Sequence, residues 1–213
     1  MTSQIAILAN GIINDTVFHK KQLEIADIII CVDGGATHAK NLGVTPDYII
    51  GDFDSVSNDV INFFKEKEEV SIIQDSNQDK TDLELALRLA ESLKPKEISI
   101  YGALGKRIDH TLANLYSLTK VDPDIKTRII DETSIIELID KPSQFLGKKH
   151  DLISIIPISH VKDLVFSGLT WNVNHIDTEP GWFGVSNRFE EPKVSVNFLD
   201  GKILIIKVND KDD

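Results

Sequence analysis

The chain has 213 residues, enough for one large domain or two modest ones, each able to bury a core. Its 41% hydrophobic and 27% charged residues exclude disordered and fibrous classes. A formal charge of -11, from 23 basic and 34 acidic residues, excludes a general nucleic-acid or membrane-surface binder, because phosphate backbones are gripped by clustered Lys and Arg.

The N-terminal residues lack the charged and long apolar regions of a secretory signal, and no later segment reaches the length of a membrane-spanning helix. A cytoplasmic location is therefore expected, and a reducing compartment suits Cys31, which has no second cysteine to pair with. In that setting the glycosylation match at Asn14-Asp15-Thr16 is read as chance.

Residues 5–8, 28–32, 48–50, 70–73 and 98–101 are short β-branched runs, several apolar throughout, and helical patterns separate them. Such runs predict a parallel sheet covered on both faces. The clearest helix spans 82–93: Leu83, Ala86, Leu87, Ala90 and Leu93 share one face, and Thr81 with Glu84 makes a capping box. A second helix is predicted over 108–119, after the turn Gly102-Ala103-Leu104-Gly105.

Beyond Pro123 the pattern changes. Residues 128–139, 152–158, 164–166, 194–198 and 203–208 read as strands, Asn, Asp, Gly and Pro punctuate them, and no long helix intervenes. The expectation is an α/β domain over residues 1–124 followed by an antiparallel sandwich or barrel over 125–213, with the boundary near 122–126.

Three acidic clusters follow predicted strands: Asp33-Gly34-Gly35-Ala36, Gly51-Asp52-Phe53-Asp54-Ser55, and Gln78-Asp79-Lys80-Thr81-Asp82. Ligands of open α/β sheets bind outside the carboxyl ends of the strands. Each cluster alone is also what a turn or helix cap needs. Asp52 and Asp54, two apart, leave the same face of an extended segment, and Asp82 completes a set of hard oxygen ligands of the kind Mg²⁺ prefers. Gly34 and Gly35 let backbone N–H groups approach a phosphate at a helix start. Gly105 repeats that arrangement, and Arg107 offers a guanidinium fork for phosphate oxygens. Residues 102–107 are too short for a Walker loop and no Ser or Thr follows Lys106. Residues 75–86 fail as an EF-hand, since Lys80 replaces the Gly and Ala86 the bidentate Glu.

In order, Asp33-Gly34-Gly35-Ala36, Pro46-Asp47 with Gly51-Asp52-Phe53-Asp54-Ser55, Gln78-Asp79-Lys80-Thr81-Asp82, Gly105-Lys106-Arg107-Ile108-Asp109-His110 and Gly184-Val185-Ser186-Asn187 closely resemble the thiamine pyrophosphokinase family over nearly the whole chain. The resemblance implies an α/β nucleotide domain and a β-sandwich thiamine-binding and dimerisation domain, in a homodimer. It implies an enzyme that moves diphosphate from ATP to the hydroxyl of thiamine, releasing AMP, in thiamine diphosphate biosynthesis. Asp52, Asp54 and Asp82 would hold Mg²⁺; Asp33, Gly34, Gly35, Thr81, Gly105 and Arg107 would surround the nucleotide; Gln78, Asp109, Ser186 and Asn187 would meet thiamine. By that resemblance Asp52, Asp54, Asp82, Arg107 and Asp109 would form the catalytic set, with Asp109 orienting or deprotonating the hydroxyl.

By the same resemblance Ser186 and Asn187 lie on a loop, and an aromatic, one of Trp182, Phe183 or Phe189, stacks on the pyrimidine. Trp171 is expected in the core of the β domain. The sequence departs from the family pattern at Lys106, where a second Gly is common, and at Asn77, where an Asp is common. Lys106 either adds a positive charge near the triphosphate or points to solvent, and of the two solvent is the expectation. Rival readings are a metal-dependent phosphotransferase or hydrolase for another alcohol, which the Ser186-Asn187 pair argues against, and a non-catalytic nucleotide or thiamine sensor, which could dispense with some carboxylates.

Overall fold

A computed structural model of the chain describes residues 4–75 and 79–208. Two compact units, Met1–Glu132 and Thr133–Asp213, make up the chain.

The first unit alternates strand and helix: β1 (Gln4–Leu8), α1 (Thr16–Glu24), β2 (Ile28–Val32), α2 (Gly35–Leu42), β3 (Tyr48–Gly51), α3 (Asn58–Lys65), β4 (Ser71–Gln74), α4 (Asp82–Ser92), β5 (Glu97–Tyr101), α5 (Ile108–Ser117) and β6 (Lys126–Ile130). Its strands lie in the order β6-β5-β1-β2-β3-β4, every neighbouring pair parallel. The apolar runs of the sequence are the buried centre of this sheet: Ile5, Ile7, Leu8, Ile30, Cys31, Ile49, Ile98, Ile100 and Tyr101 are solvent-free. Strands covered on both faces need apolar residues at consecutive positions, which is why these runs do not alternate.

The order has one functional consequence. From β1 the chain steps outward through β2, β3 and β4, then returns to the other side of β1 for β5. The loops leaving β1 and β5 therefore diverge at a switch point, where a crevice opens at the carboxyl ends of the strands.

Thr81 caps α4 as expected, its hydroxyl accepting from the Glu84 N–H at 3.3 Å, and Leu83, Leu85, Ala86, Leu87 and Ala90 bury its inner face. The helix α5 ends at Ser117, and its last expected residues form a 3₁₀ turn, Leu118–Lys120.

The second unit contains β7 (Ser134–Ile139), β8 (Ser143–Leu146), β9 (Leu152–Pro157), β10 (Val161–Ser167), β11 (Val173–Thr178), β12 (Gly184–Arg188), β13 (Lys193–Asn197) and β14 (Ile203–Val208). One antiparallel sheet runs β12-β9-β14-β7 and the other β11-β10-β13-β8. Side chains from both sheets, among them Ile153, Ile155, Phe166, Val194, Val196, Ile203 and Ile205, form one core, so the unit is a β-sandwich.

Two features differ from the expectation. Residues 128–139 are not one strand: β6 pairs parallel with β5, β7 pairs antiparallel with β14, and the polar Asp131-Glu132-Thr133 lies between, moving the boundary past residue 124. Ser186 and Asn187 lie on β12 rather than a loop, because a register shift between Gly184 and Asn187 absorbs the irregularity within the strand. Among the described residues no helix is long and apolar enough to cross a membrane.

Candidate functional site

The crevice at the switch point is a cleft of about 350 Å³. Asn10 and Gly11 after β1, Asp33 after β2, Ser55, Thr81 and Asp82 at the start of α4, and Gly102, Gly105, Lys106, Arg107, His110 and Asn114 from β5 through α5 contribute to its wall. Cross-loop hydrogen bonds hold the two edges together: Gly11 N–H donates to the Gly102 carbonyl and Ile12 N–H to the Leu104 carbonyl.

Three carboxylates converge here, and they are not the three expected. One oxygen from each of Asp33, Asp52 and Asp82 lies within 4.8 Å of the others. Asp54 stands outside that set. The extended backbone assumed for residues 52–54 is absent: Phe53 takes a left-handed φ of 68°, and the Asp52 carboxylate folds back to accept the Asp54 N–H at 3.0 Å. The Asp54 carboxylate is exposed and accepts the Ser55 hydroxyl at 2.7 Å. Asp33 enters the set because it too adopts a left-handed backbone, with φ of 45°, while its N–H stays paired to the Ile50 carbonyl.

The cluster suits a hard cation. Asp33 is 5% exposed, and its Oδ1 is buried with no hydrogen-bond partner, an arrangement that native proteins avoid unless an ion or water completes it. Burial and the adjacent carboxylates Asp33, Asp52 and Asp54 push Asp82 up to about 6, against the opposing N–H of Asp52. Asp33 is also raised, chiefly by burial, with Ser55 and the Gly34 N–H opposing and Asp54 and Asp52 adding to the rise.

Gly34 and Gly35 do not line the cleft. A side-chain carbon at Gly34 would strike Asn10, and one at Gly35 would strike the Leu8 carbonyl oxygen, so the pair lets α2 pack closely on the end of β1. Thr81 lines the cleft while its hydroxyl caps α4. Gly105, at φ 85°, turns the chain beneath Ile12. Arg107 and Asp109 pair with each other: Nε donates to Oδ1 at 3.2 Å and Nη2 to Oδ2 at 2.5 Å. That pairing holds the Asp109 carboxyl down to about 2.

Lys106 is exposed, as expected, and it also lines the cleft, where its Nζ donates to the Asn10 carbonyl at 3.2 Å. Gln78 lies outside the described residues, as does Asn77. Asn10, Gly11 and Asn114 were not singled out from sequence. The Asn-Gly pair directly after an apolar run was the available signal. Asn114, which donates to the Ala103 carbonyl at 2.8 Å, gave none.

In the second unit the expected pair divides. Ser186 is exposed at φ 55° on β12, its N–H donating to the Ser154 hydroxyl at 3.1 Å. Asn187 is 3% exposed and makes three hydrogen bonds: Oδ1 accepts the Trp171 N–H at 3.1 Å and the Arg188 N–H at 2.9 Å, and Nδ2 donates to the Trp171 carbonyl at 2.6 Å. This clamp holds Trp171 outward, 61% exposed, contrary to its expected place in the core. Phe189 is solvent-free and Trp182 packs against the core near Phe166, whereas Phe183 is 60% exposed.

Comparison with known proteins gives one answer for both units. Residues 19–130 match the family model "Thiamin pyrophosphokinase, catalytic domain", and residues 137–203 match "Thiamin pyrophosphokinase, vitamin B1 binding domain". A thiamine pyrophosphokinase of Bacillus subtilis is 29% identical over 186 residues, 85% of this chain and 87% of that protein. Thiamine pyrophosphokinase 1 of Arabidopsis thaliana is 28% identical over 203 residues, covering 81% of this chain and 75% of that protein. The crystal structure of the Bacillus subtilis thiamine pyrophosphokinase superposes with a TM-score of 0.84 at 26% identity, covering 98% of this chain and 100% of that one.

Proposed function

The chain belongs to the thiamin pyrophosphokinase family, and from that premise we propose that it transfers the diphosphate of ATP to the hydroxyl of thiamine, releasing AMP, with Mg²⁺ held by the carboxylates at its switch point. The observation that carries this reading is the convergence of Asp33, Asp52 and Asp82 within 4.8 Å, one of them with an orphaned buried oxygen. Without a cation these charges repel one another. A bound Mg²⁺ would supply charge neutralisation on the phosphate oxygens, the main demand of phosphoryl-group transfer.

Asp54, outside the 4.8 Å group, keeps its assignment to the metal site from the sequence resemblance, and its charge is one cause of the raised Asp33 and Asp82 values. Gly105 and the neighbouring loop shape the cleft, Thr81 fixes the start of α4, and Gly34 and Gly35 let α2 pack closely against Asn10 and the end of β1. Arg107 carries charge to the cleft rim while bound to Asp109. Any carboxylate is a weak base at neutral pH, so Asp109 serves more to orient the hydroxyl than to remove its proton.

On the β-sandwich, Ser186 and Trp171 form the exposed thiamine-facing group, and Asn187 positions Trp171 from beneath. Gln78 keeps its assignment near thiamine from the sequence resemblance. Two copies associate as a homodimer: Ile108, Leu112 and Tyr116, at 72%, 52% and 52% exposure, are spaced to form one apolar stripe on α5. The buried unpaired thiol of Cys31 suits a cytoplasmic setting.

The test is direct. Protein incubated with ATP, Mg²⁺ and thiamine should yield thiamine diphosphate and AMP in equal amounts, and EDTA should abolish both. ADP with thiamine monophosphate would refute the transfer of a diphosphate.

A further inference from the structure

We propose that Lys106 is a polyphosphate-binding cation of this chain, acting at the cleft in addition to Arg107; the inference rests on the nucleotide reading above. The two basic side chains stand in different states. Arg107 is bound through two hydrogen bonds to Asp109 and must leave or share that partner to meet a phosphate. Lys106 has no such partner: among the described residues no carboxylate is paired with its Nζ, which donates once, to the Asn10 carbonyl. An ammonium carries three donors. Two remain for an anion in the cleft that Lys106 lines together with Asp33 and Asp82.

The position is held from both ends. The Asn10 carbonyl that receives Nζ belongs to the loop after β1, and the Lys106 backbone belongs to the loop after β5, so the side chain spans the switch point. Its backbone sits at φ 50°, where glycine is unstrained and a lysine is not. A lysine kept there bears a backbone penalty that glycine would avoid. The charge at the cleft is the compensating gain, because a triphosphate entering beside three carboxylates meets net repulsion that a nearby cation reduces.

Binding of AMP–PNP and of adenosine to the full chain in Mg²⁺ buffer, measured by calorimetry for wild type, Lys106→Gln and Lys106→Gly, separates this role from a structural one. Both variants should weaken AMP–PNP about tenfold and adenosine less than twofold, as expected for loss of one charge-assisted hydrogen bond to phosphate. Lys106→Gly, free of the backbone penalty, should melt no lower than wild type. AMP–PNP affinity within twofold of wild type in both variants, or adenosine weakened in parallel, would overturn the proposal. Product formation by wild type is scored separately. Protein that binds AMP–PNP but makes no thiamine diphosphate refutes the reaction, whereas the AMP–PNP comparison alone decides Lys106.

Discussion

Replacing Asp82 with Asn should make the metal-free protein more stable while nearly abolishing its reaction. The carboxylate oxygens of Asp33, Asp52 and Asp82 lie within 4.8 Å, and two unit charges at that separation repel by about 3.5 kcal/mol at an effective dielectric of 20 and about 0.9 kcal/mol in bulk water. Asp82 is only partly buried, so solvent screening places the relief toward the lower figure, roughly 1–2 kcal/mol over both neighbours. Against this stands its place in the first turn of α4, where a negative charge contributes about 0.3–1 kcal/mol. The net gain in EDTA at pH 8 is about 1 kcal/mol, a rise of roughly 2–4 °C in Tm for a chain of this size. Millimolar Mg²⁺ should reverse the order, since a ligand at 100 times its Kd stabilises the wild type by about 2.7 kcal/mol and the variant has lost a ligand. Turnover should fall at least about 100-fold. Thermal melts of both proteins in EDTA and in Mg²⁺, with chromatography of the products, test the whole argument. A variant that melts below wild type in EDTA, or that gains as much from Mg²⁺, would refute it.

Three further outcomes are expected. Asp82 titrates near 6 in the metal-free fold against 3.8 ordinarily, so the native state holds the extra proton between these values. Its contribution to stability is therefore present below about 3.8 and lost as pH rises through 6; the wild-type Tm in EDTA should decline over that window relative to Asp82→Asn, and calorimetry should show Mg²⁺ affinity strengthening over it. Asn187→Ala removes an amide that satisfies three backbone groups, and should destabilise the sandwich by about 1–3 kcal/mol, read as a lower melting temperature, and raise the KM for thiamine. Trp171→Ala, at an exposed position, should melt within about 1 °C of wild type yet raise the thiamine KM roughly tenfold, the loss of an aromatic platform; an unchanged KM would move the stacking role to Phe183.

Local chemistry alone determined a good part of this protein. Apolar runs at 5–8, 28–32 and 98–101 called for a sheet covered on both faces, Thr81 with Glu84 marked a helix start, and the helix-free second half left an antiparallel sandwich or barrel. Each depends on neighbours a few positions apart. The order of acidic clusters also showed where the cleft would lie, because strand ends and turns are marked in sequence.

Tertiary structure decided what those clusters do. The left-handed backbone at Phe53 broke the alternation that had joined Asp52 to Asp54, and folding brought Asp33 across from another loop. Lys106 and Asn10, 96 positions apart, meet only because β1 and β5 are neighbours at the switch point. Trp171 reads as a core aromatic by composition, yet Asn187, fixed beneath it by the register shift in β12, turns it outward. A side chain's direction at a bulge or a positive φ depends on partners distant in sequence, and no local pattern encodes them.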